Sequence, residues 1–227
     1  MFKYLINLIR KNTIKQSTKK DIQAIKEIFI QRYSDAVTEL KYKNLYELLI
    51  SVMLSAQCTD KRVNIITPAL FERYPDVLAL QNAQLDDVKD IIKSCSFFNN
   101  KAKNLVKMAQ KVVNNFDGTI PLDEKKLISL AGVGQKTAHV VLIEYNQANL
   151  MAVDTHVFRV AHRLGLSKSE TAIKTEVDLT KKFKTNLHIL HQAMVLFGRY
   201  ICTAKSPKCN ECFLTEYCKS KEGFKAR

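Results

Sequence analysis

The chain has 227 residues, 46% of them hydrophobic, with only six glycines and four prolines. That composition excludes disordered and fibrous classes, and no apolar run approaches the roughly 18–20 residues of a membrane span. Lys and Arg total 36 against 22 Asp and Glu, a net charge of +14; this points to nucleic acid first and an anionic membrane surface second, with a merely lysine-solubilised surface as the plain alternative.

Residues 1–20 carry six Lys or Arg and no acid, and Phe2, Leu5, Ile6, Leu8 and Ile9 fall on one helical stripe. A docking helix, a basic arm on nucleic acid and an organelle transit peptide all fit; a single Ser and a single Arg weigh against the last. Leu45 to Leu54 is apolar on nearly all sides and predicts a central, buried helix. Ala102, Leu105, Val106, Ala109, Val112, Val113 and Phe116 recur at offsets of three and four, an amphipathic stripe. Asp117-Gly118-Thr119-Ile120-Pro121 predicts a turn. Val157, Phe158, Val160, Ala161 and Leu164 form a further stripe with Gly165 placed to stop it, and Leu187, Leu190, Met194 and Phe197 another. With no alternating strand pattern and no solenoid repeat, the fold class is all-α.

Between two helical patterns stands Leu130-Ala131-Gly132-Val133-Gly134-Gln135-Lys136-Thr137-Ala138. Two glycines around one aliphatic residue suit a helix–hairpin–helix in which Val133 points inward while the Gly132 and Gly134 backbone and the following helix start offer N–H groups to a DNA phosphate. An ordinary corner between bundle helices has the same pattern. Lys136 falls in the first turn of the second helix, where the dipole disfavours an ammonium and can depress its pKa. An uncharged amine there can attack a sugar C1′ and form a Schiff base; a charged one simply binds phosphate.

Asp154 immediately precedes the Val157 stripe, so its first role is an N-cap. Capping also fixes a carboxylate rigidly, as needed to stabilise an oxocarbenium-like centre during glycosidic cleavage. His156 and Arg159 either contact phosphate or lie in a solvated helical turn.

Of six cysteines, Cys202, Cys209, Cys212 and Cys218 lie within seventeen residues, whereas Cys58 and Cys95 stand apart and read as small core residues. The uneven placement argues for a reducing compartment and against a disulfide scaffold. Four clustered thiolates suit zinc or an iron–sulfur cluster; zinc ribbons usually carry two C-x2-C pairs, and this run has one. The intervening loop carries Lys205 and Lys208, placed to meet DNA phosphates.

Taken together, Ser55-Ala56-Gln57-Cys58-Thr59-Asp60, Leu130 to Ala138, Val153 to Val160, and Gly198-Arg199-Tyr200 leading into the four cysteines resemble endonuclease III, of the helix–hairpin–helix DNA glycosylase superfamily. The resemblance runs from about residue 17 to the end. It implies a two-lobed all-α protein: residues 1–16 an extension, 38–148 a six-helix barrel, and 17–37 with 149–227 a second lobe holding a [4Fe-4S] cluster on Cys202, Cys209, Cys212 and Cys218. It implies a monomeric bacterial cytoplasmic enzyme, nucleoid-associated, or an organellar one if residues 1–16 are a transit peptide. The partner is double-stranded DNA bearing oxidised pyrimidines or abasic sites, with no membrane. The damaged base is flipped into a pocket between the lobes. Lys136 matches the Schiff-base nucleophile and Asp154 the catalytic carboxylate; Gln57 matches a residue that fills the gap left by the flipped nucleotide, and Phe97 an apolar wedge, although Phe97-Phe98 can equally close a helix end. Ala131 stands where the family often has Pro, and Cys58 where a small residue is usual. An adenine glycosylase of the same superfamily would lack the hairpin Lys and carry a further C-terminal domain. A non-catalytic DNA-binding protein with a four-cysteine zinc site is the alternative from another class.

Overall fold

A computed structural model describes residues 15–220; the apolar stripe from Phe2 to Ile9 lies outside them. Among the described residues there are eleven α-helices, one 3-10 turn and no strand. In chain order the helices are α1 (Lys19–Arg32), α2 (Leu45–Ser55), α3 (Asp60–Arg73), α4 (Val77–Gln81), α5 (Leu85–Ile92), α6 (Phe98–Phe116), α7 (Glu124–Ile128), α8 (Gln135–Asn146), α9 (Thr155–Arg163), α10 (Ala172–Phe183) and α11 (Leu187–Tyr200), followed by the 3-10 turn Cys209–Glu211. None is long and apolar enough to cross a membrane.

Most helices start where a short polar side chain takes over a first-turn N–H. Thr18 and Asp21 form a reciprocal capping box at α1, and Asn44, Thr59, Asp76, Asp123, Asp154 and Thr171 cap α2, α3, α4, α7, α9 and α10 through side-chain oxygens. The chain divides into two compact units, Thr38–Gln147 and, discontinuous in sequence, the residues up to Val37 with those from Ala148 onward.

In the Thr38–Gln147 unit α2 is central. Every side chain from Tyr46 to Leu54 except Glu47 is buried, against α3, α6 and α8. The α6 stripe is as the periodicity predicts, with Ala102, Leu105, Ala109 and Val112 buried and Met108 completing it. It ends at Asp117 and Gly118, both left-handed at φ 50° and 74°, which makes the expected turn.

In the other unit α11 packs on α1 and α9, and α10 packs on both α1 and α9. Phe29 of α1 meets Phe197 edge-on at 5.5 Å and half-buried Phe213 at 6.4 Å between centroids; burying a ring as fully as Phe29 or Phe197 stabilises by about 2 kcal/mol. Gly165 ends the Val157 stripe at φ 67°, and a Cβ there would lie 2.6 Å from the Lys15 carbonyl oxygen, so glycine is required twice over.

Candidate nucleic-acid interface and cysteine centre

The hairpin between α7 and α8 belongs to the Thr38–Gln147 unit. Val133 N–H donates to the Leu130 carbonyl at 3.2 Å, and Val133 is 5% exposed, so it points inward and pins the flanking helices. Gly132 takes φ 77°, where its Cβ would come 2.8 Å from Asn104. Gly134, extended and exposed, caps α8 with no side-chain acceptor, and nothing lies within 4 Å of a Cβ built on it. That open space in front of a glycine-capped helix start is what an anion needs to reach backbone N–H groups. Lys136 stands exposed in the first turn of α8. His139 Nε2 and Glu124 Oε1, 3.0 Å apart, tie α8 to α7.

Gln57 and Phe97 lie on two turns of the same unit, and both hold non-glycine residues in left-handed backbone, φ 56° and 59°. Such conformations cost about 1–2 kcal/mol each and gather where a side chain must be aimed. Phe97 is 62% exposed, which rules out core packing. Both line an open cavity of about 200 Å³ together with Asn100, Asn104 and Gly132. Lys101 Nζ donates to the Leu54 and Ala56 carbonyls at 2.7 and 2.8 Å, closing the end of α2 and supporting the Gln57 turn. Cys95 is buried as expected, but Cys58 is half-buried and its Sγ lies 3.3 Å from that of Cys95; spacing along the chain carries no signal for that meeting.

In the other unit Asp154 caps α9, its Oδ1 accepting from Val157 N–H at 2.7 Å. Half-buried His156 lies beside it; burial holds its imidazole below the ordinary range, Asp154 opposing and Arg159 assisting. Arg159 corrects its expectation. Neither at a phosphate-facing surface nor in a solvated turn, it is 3% exposed and donates to the carbonyls of Cys202, Gly198 and Thr155. A buried guanidinium must spend its donors internally, and here it spends them fastening the loop that starts at Cys202. Arg163, which the sequence reading passed over, does the same for the next residues, donating to the Thr203 and Ala204 carbonyls at 2.6 and 2.9 Å.

Cys202, Cys209, Cys212 and Cys218 line one pocket with Arg163 and Lys208. Arg163 Nη1 reaches Cys202 Sγ at 3.2 Å, and Ser220 N–H points to Cys218 Sγ at 3.4 Å. Burial pushes the Cys212 and Cys218 thiols up, and the other cysteines of the group push the same way. A cationic centre relieves both effects at once. Four thiols lining a common pocket are a donor set that suits an iron–sulfur cluster, as it suits zinc. Lys205 and Lys208 are exposed on the loop between the first two cysteines.

Residues 50–185 match the HhH-GPD superfamily base excision DNA repair protein model, and residues 202–218 match the iron–sulfur binding domain of endonuclease III. The chain is 43% identical over 198 residues to endonuclease III of Rickettsia felis, covering 87% of this chain and 93% of that one. It is 39% identical over 221 residues to endonuclease III of Synechocystis, covering 94% and 97%. A solved structure of a trapped endonuclease III–DNA covalent intermediate superposes with a TM-score of 0.84 at 37% identity, over 91% of this chain and 98% of that one. The chain belongs to the endonuclease III family, base-excision DNA glycosylases that carry a [4Fe-4S] cluster.

Proposed function

We propose that the protein removes oxidised pyrimidines from double-stranded DNA and then cuts the strand 3′ to the abasic site through a Lys136 Schiff base. The observation that carries the reading is the exposed Lys136 amine in the first turn of the glycine-capped α8, where the same backbone that grips a phosphate holds the amine close to the strand. The solved covalent intermediate of a related endonuclease III with DNA supports it.

Asp154, immobilised by its cap bond, stabilises positive charge on the deoxyribose as the base departs. Lys136 Nζ attacks C1′ as the C1′–base bond breaks and gives up a proton to the departing base; opening of the C1′–O4′ bond, with O4′ taking a proton, leaves an iminium that acidifies the C2′ proton, and loss of that proton to solvent expels the 3′ phosphate by β-elimination. Gln57 fills the space of the flipped nucleotide and Phe97 wedges the stack. Gly132, Val133 and Gly134 hold a phosphate, Lys205 and Lys208 take further ones, and His156 contributes a further contact. Cys202, Cys209, Cys212 and Cys218 are the cluster ligands; the bound [4Fe-4S] group cross-links their loop. The reading includes a monomer acting on nucleoid DNA.

Borohydride trapping on thymine-glycol and abasic duplexes tests it. The wild-type chain is expected to give a covalent adduct, and Lys136→Ala to give none while still binding DNA. Asp154→Asn keeps the cap, since Asn caps as well as Asp, but lowers base excision by on the order of a hundredfold or more, like other losses of a transition-state electrostatic partner. Persistent trapping in Lys136→Ala removes the assignment of the nucleophile. A colourless chain that binds duplex and cuts nothing is the zinc alternative.

A further inference from the structure

We propose that Cys58 and Cys95 form a two-electron oxidation site, with a hydroperoxide as reactant, whose disulfide ties the Gln57 turn to the Phe97 turn. The consequence for DNA rests on the proposed function; the thiol pair itself does not.

Three observations converge. The two Sγ atoms are 3.3 Å apart, within about 1.3 Å of a disulfide bond's ~2.05 Å, although the residues are 37 positions apart in sequence. The pair is graded in access, Cys58 half-buried and Cys95 buried at 3% exposure, the arrangement of an attacking thiol next to a resolving one. Both lie in structured turns: Cys58 N–H donates to the Ser55 carbonyl at 3.0 Å and Cys95 N–H to the Ile92 carbonyl at 2.8 Å. Gln57 immediately precedes Cys58, and Phe97 follows two residues after Cys95. The thiols therefore sit directly behind the two left-handed residues that rim the cavity.

The chemistry is balanced by the peroxide. Cys58 gives up its thiol proton and its sulfur attacks one peroxide oxygen; the O–O bond breaks, the leaving alkoxide takes up that proton through solvent and departs as alcohol, and Cys58 becomes a sulfenic acid. Cys95 sulfur then attacks that sulfur; the S–S bond forms, the S–O bond breaks, and water leaves carrying the thiol proton. Two thiols are oxidised and one hydroperoxide is reduced to alcohol and water. Greater access assigns the first attack to Cys58, while burial and the contact with Cys58 push the Cys95 thiol up to about 12. The Lys101 and Arg62 cations oppose that rise.

The test uses the cluster-loaded protein treated with a stoichiometric alkyl hydroperoxide, then alkylated and digested. A Cys58–Cys95 linked peptide is expected. Incision of thymine-glycol duplex falls by about tenfold or more, as for ångström-scale misplacement of positioning elements. Dithiothreitol restores it, the visible absorbance of the cluster is unchanged throughout, and Cys58→Ser keeps its rate after peroxide. Absence of the linked peptide overturns the site. Linkage without loss of incision overturns its consequence, as does equal loss in wild type and Cys58→Ser. Should the reduced, untreated chain incise nothing, the proposed function falls; the peptide map, with lesion-duplex affinity before and after peroxide, then decides the thiol pair on its own.

Discussion

The hairpin from Leu130 to Ala138 and the loop from Cys202 to Cys218 are both held against DNA in the proposed reading, and they are built in opposite ways. The hairpin is a backbone device: one left-handed glycine, one open glycine, one buried valine and an N–H to carbonyl bond three residues back. Its shape is written in nine consecutive residues. The cysteine loop has a three-residue 3-10 turn and a hydrogen-bonded turn over 213–217 of its own, and it is also fastened from outside, by Arg159 and Arg163 of α9 reaching its carbonyls. A local device can be read from local sequence; a loop held by remote guanidinium groups cannot.

The largest expected effect is on the fastened loop. Arg163→Met leaves the Thr203 and Ala204 carbonyls without their charged donor and is expected to cost about 3 kcal/mol. Thermal melts should show it, and the visible cluster absorbance should be lost at lower temperature than in wild type. An unchanged melt would mean that the cysteines hold the loop unaided. On the hairpin side, Gly132→Ala combines a positive φ with a 2.8 Å approach to Asn104 and is expected to cost about 2–3 kcal/mol. Duplex affinity should fall while cluster absorbance stays, and coupled loss of both would break the contrast between the two devices. The smallest effect is at the exposed lysines. Lys205→Ala and Lys208→Ala should leave stability within about 0.5 kcal/mol and each reduce the slope of log affinity against log salt by about 0.9. An unaltered slope would remove the cysteine loop from the DNA face.

The same contrast explains what the chain's pattern discloses. The buried helix at Leu45–Ser55, the stripe ending at Asp117, the stop at Gly165 and the inward Val133 all follow from periodicity and turn chemistry within a few residues. Arg159 was misread because an arginine after V-D-T-H on an amphipathic helix looks the same whether it faces phosphate or spends its donors on carbonyls 39 and 43 positions away. Arg163 and the Cys58–Cys95 meeting escaped for that reason also: their partners lie 37 to 41 positions off, beyond any window in which a period shows. The five-residue helices Val77–Gln81 and Glu124–Ile128 are too short to establish a period.

The discontinuity of one unit bears on how the polypeptide matures. Thr38–Gln147 is a single uninterrupted stretch, so it can condense as soon as it emerges from the ribosome. The flanking unit has no such freedom: Ser17 bonds to the Leu164 carbonyl 147 positions on, and Asp21 waits for Lys219, 198 positions on. Its first helix, whose Ile25 and Phe29 are wholly covered in the finished molecule, cannot complete its contacts until Lys219 has been made. Cys202, Cys209, Cys212 and Cys218 therefore leave the ribosome only after the whole of the Thr38–Gln147 stretch.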